Sequence, residues 1–453
     1  MRKRWLSDAA RAVGEVLTGQ DVEISRVVTD SRVAGSGDLF FALPGEHTDG
    51  ALFVADAFAR GAAAVVVRDG DPVPGPAIRV GSTGDALMRL AADERDRMDA
   101  TVIAVTGANG KTSTKDLAAA VLSPRFPTHA SPESFNNEIG LPMTLLSAPE
   151  GSELIVAEIG ARHVGDAAIL CEIARPRMAV VTNVGIAHLE IFGSWERIVE
   201  AAAEPVEALG GDDVAVLFAD DPVVSAFPDR TSARIVTFGL SNDADVRGEQ
   251  VRLDPAGRAS FELVHAGSRE PIELAVPGEH MVQNALAAAA CGLVLGLTPA
   301  ECAAGLKGAR ISHWRMETFT NAAGVRILND AYNANPESMA AALRTARWIA
   351  GDGRLLAVLG TMAELGPAAR EEHERIGEHA ARIGVDRLIT VGDEAHRIAE
   401  SARREGVEPD DIASYEEGID ALSDVRSHAR PGDVVLLKAS RVVGLERVAE
   451  ALR

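Results

Sequence analysis

The sequence contains little cysteine and few aromatic residues. Cysteine occupies 3 of 453 positions, and aromatic residues make up 4% of the chain. Cys171, Cys291 and Cys302 stand in apolar or alanine-rich stretches, without a CxxC pair and without metal-ligand spacing near the histidines. We interpret them as buried small hydrophobic residues in a reducing compartment, which argues against a disulfide framework or a cysteine-ligated metal.

A long apolar run is also missing. The longest apolar stretch, residues 285–298, is shorter than the ~20 residues that a membrane-spanning helix requires. It is rich in alanine and follows the polar residues His280 and Asn284, so we expect a core helix. The basic N-terminal stretch MRKRWLSDAARAVG is not followed by an apolar core of signal-peptide length. We therefore expect a soluble, cytoplasmic protein without membrane insertion.

Positive charge is in deficit. The chain has 45 Lys and Arg residues against 67 Asp and Glu residues, a net charge of -22. Such a surface repels nucleic acids and anionic membranes unless a local basic patch reverses the field, so no nucleic-acid partner is expected. Anionic small molecules remain possible ligands if local cations and backbone N–H groups form their pocket.

The length and composition indicate several folded domains. The chain is about three times the ~150 residues of a typical domain, with 47% hydrophobic and 25% charged residues. Polar stretches at residues 91–101 and 308–314 have the character of joints. We therefore predict three domains, at residues 1–97, 98–309 and 310–453.

Apolar runs alternate with alanine-rich helical stretches after the first joint. This alternation is typical of α/β domains in which crossover helices connect the strands of a mostly parallel sheet. Several runs end close to a polar residue, at Glu158, at Asn183 and His188, at Asp330 and at Lys438. Because ligands bind at the carboxyl ends of strands in open α/β sheets, these side chains are candidates for a common site.

The strongest local motif is TGANGKTS at residues 106–113, between a strand pattern and a helix pattern. Its glycines allow the backbone to wrap a phosphate, Lys111 adds a cation, and the Thr112 hydroxyl is suited to hold magnesium. The general pattern has a glycine where this chain has Val105, so this is a TGxxGKT variant. We predict binding of a nucleoside triphosphate.

Five further residues each allow two interpretations from the sequence. Glu158 is either a magnesium ligand or a solvated strand end, and His188 is either functional or a core histidine. Asn284 either contacts an adenine edge or caps its helix. Arg315 either reaches a γ-phosphate or forms a surface ion pair. Asp330 either accepts from a ribose hydroxyl or forms an Asx turn.

Eight motifs occur in one order along the chain: TGANGKTS, SFNNEIGLP, EIGARHVGD, TNVGIAHLE, HMVQNALAAAA, HWRME, NDAYNANPESM and LKASR. Together they resemble the Mur ligase family of ATP-dependent amide-bond synthetases, from about residue 24 to residue 446. TGxxGKT alone is shared with folylpolyglutamate synthases. The resemblance implies an N-terminal UDP-substrate domain, a central P-loop ATPase domain and a C-terminal Rossmann-like α/β domain.

Two regions distinguish between types within the family. Residues 29–62 are similar to the UDP-sugar-binding domain of the MurE and MurF types, whereas NDAYNANPESM and LKASRVVGLE favour the MurF type. That type adds D-alanyl-D-alanine to UDP-N-acetylmuramoyl-tripeptide with ATP and Mg²⁺, in cytoplasmic peptidoglycan precursor synthesis. We expect a monomer. The sequence does not distinguish meso-diaminopimelate from L-lysine as the third residue of the tripeptide.

The resemblance also assigns roles to individual residues. The nucleotide-binding residues would be Thr106, Gly107, Asn109, Gly110, Lys111, Thr112, Ser113, Asn284, Arg315, Asp330 and Asn333, with Asn335 shaping the same pocket. The catalytic residues would be Lys111, His188 and Arg315, and the magnesium ligands Thr112, Glu158 and His188. The substrate-binding residues would be Ser31 and Arg32 near the diphosphate, the Gly45–Gly50 loop with Asp49 near the uridine, Asn136 and Asn137 at the peptide, and Lys438, Ser440 and Arg441 at the dipeptide.

One departure concerns a lysine that is carbamylated in this family and supports a second magnesium ion. The matching position is Ala202, and the chain has no lysine between Lys115 and Lys307. We predict that Glu200, Glu204 or a free anion substitutes for the carbamate, or that the enzyme is slow. Two alternatives therefore stay open: another amide ligase of the same fold, such as a MurE-like enzyme, and a nucleotide-binding paralogue with impaired or lost catalysis.

Overall fold

A computed structural model describes residues 1–45 and 48–453. The first segment contains a five-stranded sheet of order β2-β7-β6-β5-β4, in which only β2 is antiparallel to its neighbour, and a two-stranded β1-β3 pair. Its elements are β1 Arg4–Trp5, α1 Leu6–Val13, β2 Leu17–Thr18, β3 Glu23–Ile24, β4 Arg26–Val28, β5 Asp38–Phe41, α2 Val54–Ala59, β6 Ala64–Arg68, β7 Ala77–Val80 and α3 Thr83–Asp96.

The second segment is built on a nine-stranded sheet of order β16-β15-β14-β13-β12-β11-β8-β10-β9. Its strands are β8 Thr101–Thr106, β9 Thr128–Ala130, β10 Leu154–Glu158, β11 Met178–Val181, β12 Val214–Phe218, β13 Arg234–Gly239, β14 Val246–Leu253, β15 Arg258–His265 and β16 Ser268–Pro277. Its helices are α4 Lys111–Leu122, α5 Gly140–Ser147, α6 Asp166–Ala174, α7 Leu189–Phe192, α8 Trp195–Glu207, α9 Met281–Val294 and α10 Pro299–Lys307.

The strand order of this sheet creates a crevice at β8. Strands β8 to β14 are parallel, and β15 and β16 extend the sheet as antiparallel strands. Strand β10 pairs with one side of β8, and β11 pairs with the other side. The strands that follow β8 are therefore added first on one side of it and then on the other. The carboxyl ends of these three strands therefore form the kind of crevice in which α/β proteins bind ligands.

Small residues allow close packing of the helices beside the TGANGKTS loop, residues 106–113, here called the P-loop. The alanine-rich α9 is the expected core helix, and it packs against α4. A Cβ atom added to Gly292 of α9 would lie 2.8 Å from Val121 Cγ1, and one added to Gly305 of α10 would lie 2.6 Å from Val121 Cα. Helix α9 ends at Val294, and Thr298 is the N-cap of α10 in a capping box, so the apolar stretch ends before the second helix begins.

The third segment contains a six-stranded sheet of order β17-β18-β22-β19-β20-β21, parallel except for β17. Its elements are β17 Glu317–Thr320, β18 Arg326–Asn329, α11 Pro336–Ala350, β19 Leu355–Gly360, α12 Ala369–Arg382, β20 Arg387–Val391, α13 His396–Arg404, β21 Ile412–Tyr415, α14 Gly418–His428, β22 Val434–Lys438 and α15 Glu446–Ala451.

The prediction of a three-part α/β fold with mostly parallel sheets is confirmed. The three large sheets lie at residues 17–80, 101–277 and 317–438, within the predicted segments. The boundaries after residues 97 and 309 stay predictions, because helix α3 also packs against α5 and α6 of the second segment. Within the described residues, no helix is both long and apolar enough to cross a membrane.

Candidate active site

The TGANGKTS loop connects β8 to α4 and adopts a conformation that only glycine tolerates well at two positions. Gly107 has φ 134° and Gly110 has φ 80°. A Cβ atom at Gly107 would lie 2.1 Å from Thr182 Oγ1, and one at Gly110 would lie 2.3 Å from Asn284 Oδ1. The loop therefore passes close to its neighbours, and its backbone leads directly into the N-terminus of α4, where an anion is favoured.

Lys111, the first residue of α4, curls back over this loop. Its Nζ donates to the carbonyl of Gly107 at 2.6 Å. Burial lowers the pKa of the Lys111 ammonium, while the charges of Glu158 and Arg315 raise and lower that pKa respectively. Residues from the second and third segments thus act on one ammonium group. A bound phosphate would give Lys111 a stronger partner than the carbonyl oxygen.

Glu158, the last residue of β10, is 1% exposed and has a partner on each oxygen. Thr112 Oγ1 donates to Oε2 at 2.7 Å, and Asn136 Nδ2 donates to Oε1 at 2.7 Å. A hydroxyl and a carboxylate side by side are ligands that Mg²⁺ accepts next to substrate phosphates. Among the described residues, no group of three or more His, Cys, Asp or Glu side chains is arranged to hold a metal ion. The adjacent Thr112 hydroxyl and Glu158 carboxylate are thus the candidate ligands for such an ion.

The loop that carries Asn136 is held by Lys115, which was not among the predicted site residues. Lys115 is 2% exposed, and its Nζ donates to the carbonyls of Ser131 and Glu133 at 2.7 and 2.9 Å. Asn137 is exposed, and its Oδ1 accepts from the backbone N–H of Gly140 at the start of α5. Asn136 therefore faces the site, whereas Asn137 orients a helix. The position of Lys115 one turn after Lys111 was the only available signal.

The P-loop is also linked to the residues after β11 and before α11. Asn109 N–H donates to Asn183 Oδ1 at 2.8 Å, and Thr182 Oγ1 donates to the Asn109 carbonyl at 2.6 Å. From the third segment, Asn335 Nδ2 donates to Asn109 Oδ1 at 2.8 Å. Asn335 also caps α11 through its side chain. Asn109 thus links the second segment to the third. The hydrogen bond from Thr182 to Asn109 was not predicted.

Arg315 lies over the ring of Tyr332, with 4.1 Å between its guanidinium carbon and the ring centroid. Its Nε is buried and has no hydrogen-bond partner among the described residues. The Tyr332 hydroxyl contacts Ser134 Oγ, so this stack bridges the third segment to the loop beside Glu158. Within the described residues, Arg315 contacts the Tyr332 ring and its Nε is buried, which does not fit the surface ion pair that was its alternative. The guanidinium instead belongs to the cleft that contains Lys111.

Asp330 and Lys438 form an ion pair that the sequence did not predict. Lys438 is 3% exposed, and its Nζ donates to Asp330 Oδ2 at 2.6 Å and to the Asn333 carbonyl at 3.0 Å. Asp330 Oδ1 accepts from the backbone N–H of Met316 at 3.0 Å. Asp330 therefore neutralises the ammonium that was expected to face a dipeptide. The predicted roles of Asp330 at a ribose and Lys438 at a dipeptide stay predictions.

The remaining candidates of the third segment differ in exposure. Asn333 is exposed, and Ser440 is buried, where its Oγ accepts from the Ala363 N–H at 2.8 Å. Arg441 is exposed, lies 4.2 Å from the centroid of the Trp314 ring and pairs with Glu446 at 3.2 Å. Among the three residues assigned to the dipeptide, Arg441 thus presents the accessible cation.

Asn284 lies in the first turn of α9 and is 5% exposed. Its Oδ1 accepts from Thr114 Oγ1 at 3.3 Å, and its amide lies against Gly110. Asn284 is a helical residue and does not cap α9, because His280 precedes that helix. Thr106 ends β8, and Ser113 is buried in the first turn of α4. The contact of Asn284 with adenine stays a prediction.

The candidates of the first segment make local contacts. Ser31 is buried and its Oγ donates to Asp56 Oδ2 at 2.9 Å, whereas Arg32 is exposed and pairs with Asp30 at 2.7 Å. Asp49 accepts from the Ala51 N–H at 3.0 Å. The Gly45 N–H donates to the Thr48 carbonyl at 2.9 Å. Residues 46 and 47 of the predicted uridine loop lie outside the described residues, and the substrate contacts stay predictions.

His188 follows the loop after β11 and precedes α7, with φ 56°. Its Nδ1 contacts the carboxylate of Glu364, a residue of the third segment. Burial lowers the pKa of the imidazole, and the hydrogen bond with Glu364 opposes that change. Of the two alternatives for this residue, a core histidine does not fit, because its side chain is 33% exposed.

Ala202 lies half-buried on α8. Of the two acids expected to substitute at this position, Glu204 accepts from the N–H groups of Gly165 and Ala168, at 2.6 and 2.9 Å, at the start of α6. Burial raises the pKa of Glu204, and these N–H groups oppose that change. Glu200 is exposed. Glu204 is therefore occupied as a helix cap, which argues against a role for it in place of the carbamate.

The fold and the site define a class of protein: a three-part α/β protein whose P-loop follows a strand of the second segment and contacts the third segment. The sequence matches "Mur ligase family, catalytic domain" over residues 23–108, "Mur ligase middle domain" over residues 105–292 and "Mur ligase, glutamate ligase domain" over residues 314–441. The chain belongs to the Mur ligase family, as its motifs predicted.

Individual relatives share most of their length with this chain. It is 42% identical to the UDP-N-acetylmuramoyl-tripeptide–D-alanyl-D-alanine ligase of Mycobacterium tuberculosis, over 93% of this chain and 91% of the relative. The crystal structure of MurF from Acinetobacter baumannii matches with a TM-score of 0.87 and 30% identity, covering 100% and 99% of the two chains. MurF ligase from Thermotoga maritima in complex with ADP matches with a TM-score of 0.80 and 29% identity, covering 94% and 96%.

Proposed function

We propose that this chain is an ATP-dependent ligase that joins D-alanyl-D-alanine to UDP-N-acetylmuramoyl-tripeptide. The observation that carries the proposal is the P-loop cleft, where Lys111 begins α4 and the buried Nε of Arg315, from the third segment, has no hydrogen-bond partner among the described residues. Two cations from separate domains suit a γ-phosphate that is transferred between ligands held by different domains. The relative from Mycobacterium tuberculosis, which bears this activity in its name, supports the choice of substrates.

The chemistry proceeds in two transfers. An oxygen of the tripeptide carboxylate forms a bond to the γ-phosphorus of ATP, and the bond to the β,γ-bridging oxygen breaks, which gives an acyl phosphate and ADP. The amine of D-alanyl-D-alanine then attacks the acyl carbon, and phosphate leaves as the amine loses a proton. Negative charge accumulates on phosphoryl oxygens in the first transfer, so Lys111 and Arg315 stabilise it.

The residues present also fit a magnesium ion at the triphosphate. Thr112, Glu158 and His188 would hold it, and the ion would neutralise charge on the phosphates. The carboxylate of Glu158 is oriented for this role by Asn136. The relative from Thermotoga maritima, whose structure is a complex with ADP, supports nucleotide binding by this chain.

The three segments divide the ligands between them in this proposal. Residues 1–97 bind the UDP portion, residues 98–309 bind ATP, and residues 310–453 contribute to the nucleotide site and bind the dipeptide. The enzyme acts as a monomer in the cytoplasm, where ATP and nucleotide-linked precursors are available.

Phosphate release from ATP tests the proposal when UDP-N-acetylmuramoyl-tripeptide and D-alanyl-D-alanine are omitted in turn. We expect release only when both are present with Mg²⁺, together with a UDP-linked pentapeptide by mass spectrometry. Tripeptides that end in meso-diaminopimelate and in L-lysine are assayed in parallel. Protein that binds ATP but does not turn over either substrate would contradict the proposal. That result would favour a second candidate function, a nucleotide-binding paralogue without ligase activity. The observation in support of this candidate is Ala202, which stands where the resemblance predicts a carbamylated lysine.

A further inference from the structure

The loop after β19 reaches from the third segment to the second and ends at Glu364. Its backbone is held at three points. Met362 N–H donates to Nε2 of the fully buried His373 at 2.9 Å, and Ala363 N–H donates to Ser440 Oγ at 2.8 Å. Ser440 N–H donates to the Thr361 carbonyl at 3.0 Å. The segment 361–366, here called the arm, is therefore fixed to its own sheet before it reaches the partner domain.

The tip of the arm docks on α7 of the second segment. Glu190 N–H donates to the Glu364 carbonyl at 3.1 Å, and the Arg162 guanidinium pairs with Glu364 Oε1. Gly366 has φ 53°, and a Cβ atom there would lie 3.1 Å from Glu190 Cα. The backbones thus approach closely, which places the other carboxylate oxygen, Oε2, against Nδ1 of His188.

A carboxylate beside one imidazole nitrogen determines what the other nitrogen can do. Because Glu364 accepts a hydrogen bond from Nδ1–H, the neutral ring has its lone pair on Nε2. Histidines that bind metals are commonly oriented in this way by a carboxylate on their second nitrogen. His188 follows the loop after β11, whose residues Thr182 and Asn183 hydrogen-bond Asn109 of the P-loop, so this loop borders the phosphate site.

We propose that Glu364 is a positioning residue through which the third segment prepares His188 to bind a divalent cation at the nucleotide. When the arm docks, the carboxylate sets the tautomer and orientation of the imidazole. When the arm withdraws, His188 loses that partner and binds the cation more weakly. Docking of the domain and cation binding are therefore linked, and each favours the other. This inference rests on the cation site of the proposed function.

The full-length protein with ADP and Mn²⁺ in place of Mg²⁺ tests this role by two readouts besides activity. Pulsed electron paramagnetic resonance detects an imidazole nitrogen bound to Mn²⁺, and titration gives the affinity of the protein for Mn²⁺·ADP. We expect the nitrogen signal in the wild type and its loss in His188→Asn. In Glu364→Gln the signal should weaken and the affinity should fall about tenfold.

Two comparisons separate positioning from a merely structural contact. Glu371→Gln makes the same charge change on an exposed side chain at the start of α12 and should leave signal, affinity and unfolding temperature unchanged. The double variant His188→Asn/Glu364→Gln should bind no more weakly than His188→Asn, because Glu364 acts through His188.

Each outcome supports or overturns a particular claim. Wild-type signal and affinity in Glu364→Gln would overturn the positioning role and leave the proposed function intact. Additive losses in the double variant would also overturn it, because Glu364 would then act independently of His188. Absence of a nitrogen signal in the wild type would remove His188 from the cation site of the proposed function, and the positioning role with it.

Discussion

At the scale of single residues, the buried charged side chains Glu158 and Lys438 in the cleft each have hydrogen-bonding partners. Glu158 has Thr112 and Asn136, and Lys438 has Asp330. A buried charged group without such partners costs several kcal/mol, so these contacts offset part of the cost of burying Glu158 and Lys438. Burial also affects titratable side chains that are uncharged in the fold, because it favours the uncharged form of the group.

His280 should make the stability of the fold depend on pH. Burial lowers its pKa from 6.5 to about 4, while the unfolded chain keeps the ordinary value. The unfolded state alone therefore binds a proton as the pH falls below 6.5, and stability should decrease from there toward pH 4. Urea unfolding at about pH 7.5 and about pH 5 should show a smaller loss for His280→Asn than for the wild type. His396→Asn, at an exposed position, should behave as the wild type, and equal losses in all three proteins would contradict the assignment.

The three cysteines should be unreactive in the folded protein. Burial raises the pKa of Cys171 and Cys291 to about 12 and that of Cys302 to about 11, so the reactive thiolate is scarce at neutral pH. We expect Ellman's reagent to detect none of the thiols in native protein and all 3 after unfolding. Rapid labelling of a native thiol would indicate that the helices around it open.

At the scale of elements, the conformation of the P-loop depends on α9 and on the residues after β11, which pack against it. Helix α9 places Asn284 against Gly110, and the residues after β11 place Thr182 against Gly107. Neither neighbour is close to the loop in sequence. The loop conformation is therefore set jointly by its glycines and by the packing of α9 and β11.

Gly110→Ala should impair nucleotide binding. The new Cβ would lie 2.3 Å from Asn284 Oδ1 in a loop that has φ 80°, so the loop must shift. We expect ATP affinity to fall by at least about tenfold in calorimetric titration, equivalent to roughly 1.4 kcal/mol. Gly151→Ala is the matched control, because φ is 83° there and no atom lies within 4 Å of the new Cβ. Equal affinity in both variants would contradict the close-approach argument.

Helix α8 carries Ala202, the position at which the resemblance predicts a carbamylated lysine. Ala202→Lys should raise kcat by at least about tenfold, in a manner that depends on added bicarbonate, because a carbamate would restore a fixed negative charge. Ala202→Met has a similar length without the amine and should not raise kcat. If Ala202→Lys also leaves kcat unchanged, the site has compensated for the missing lysine by other means.

At the scale of the whole molecule, the second and third segments meet at several polar contacts around one cleft. Asn109 bonds Asn335, and Ser134 contacts Tyr332. A ligase of this kind must bring a γ-phosphate and a peptide carboxylate into contact, and water must then be excluded. Such contacts suit domains that close on their ligands.

Small-angle scattering should show this closure. We expect the radius of gyration to decrease when a non-hydrolysable ATP analogue and UDP-N-acetylmuramoyl-tripeptide are both present, and to change less with either alone. Asn335→Ala removes one contact across the cleft and should weaken the response. An unchanged radius with both ligands bound would contradict a closing motion.

The sequence predicted those features of the site that depend on neighbours along the chain. The strand, loop and helix around Lys111 lie at the expected positions, and β10 and β22 end at Glu158 and Lys438 as expected. Strand β18 ends at Asn329, one residue before Asp330. Lys115, Thr182 and Glu364 were missed, because a lysine, threonine or glutamate of that kind is usually an ordinary surface residue.

The sequence by itself determined the α/β class, the P-loop and the family, because local spacing and motif order carry that information. The tertiary structure decided which polar groups meet. Lys438 and Asp330 lie 108 residues apart, His188 and Glu364 lie 176 apart, and Asn109 and Asn335 lie 226 apart. Such pairs depend on strand order and on how two sheets face each other. Neither is encoded in the spacing of residues along one segment.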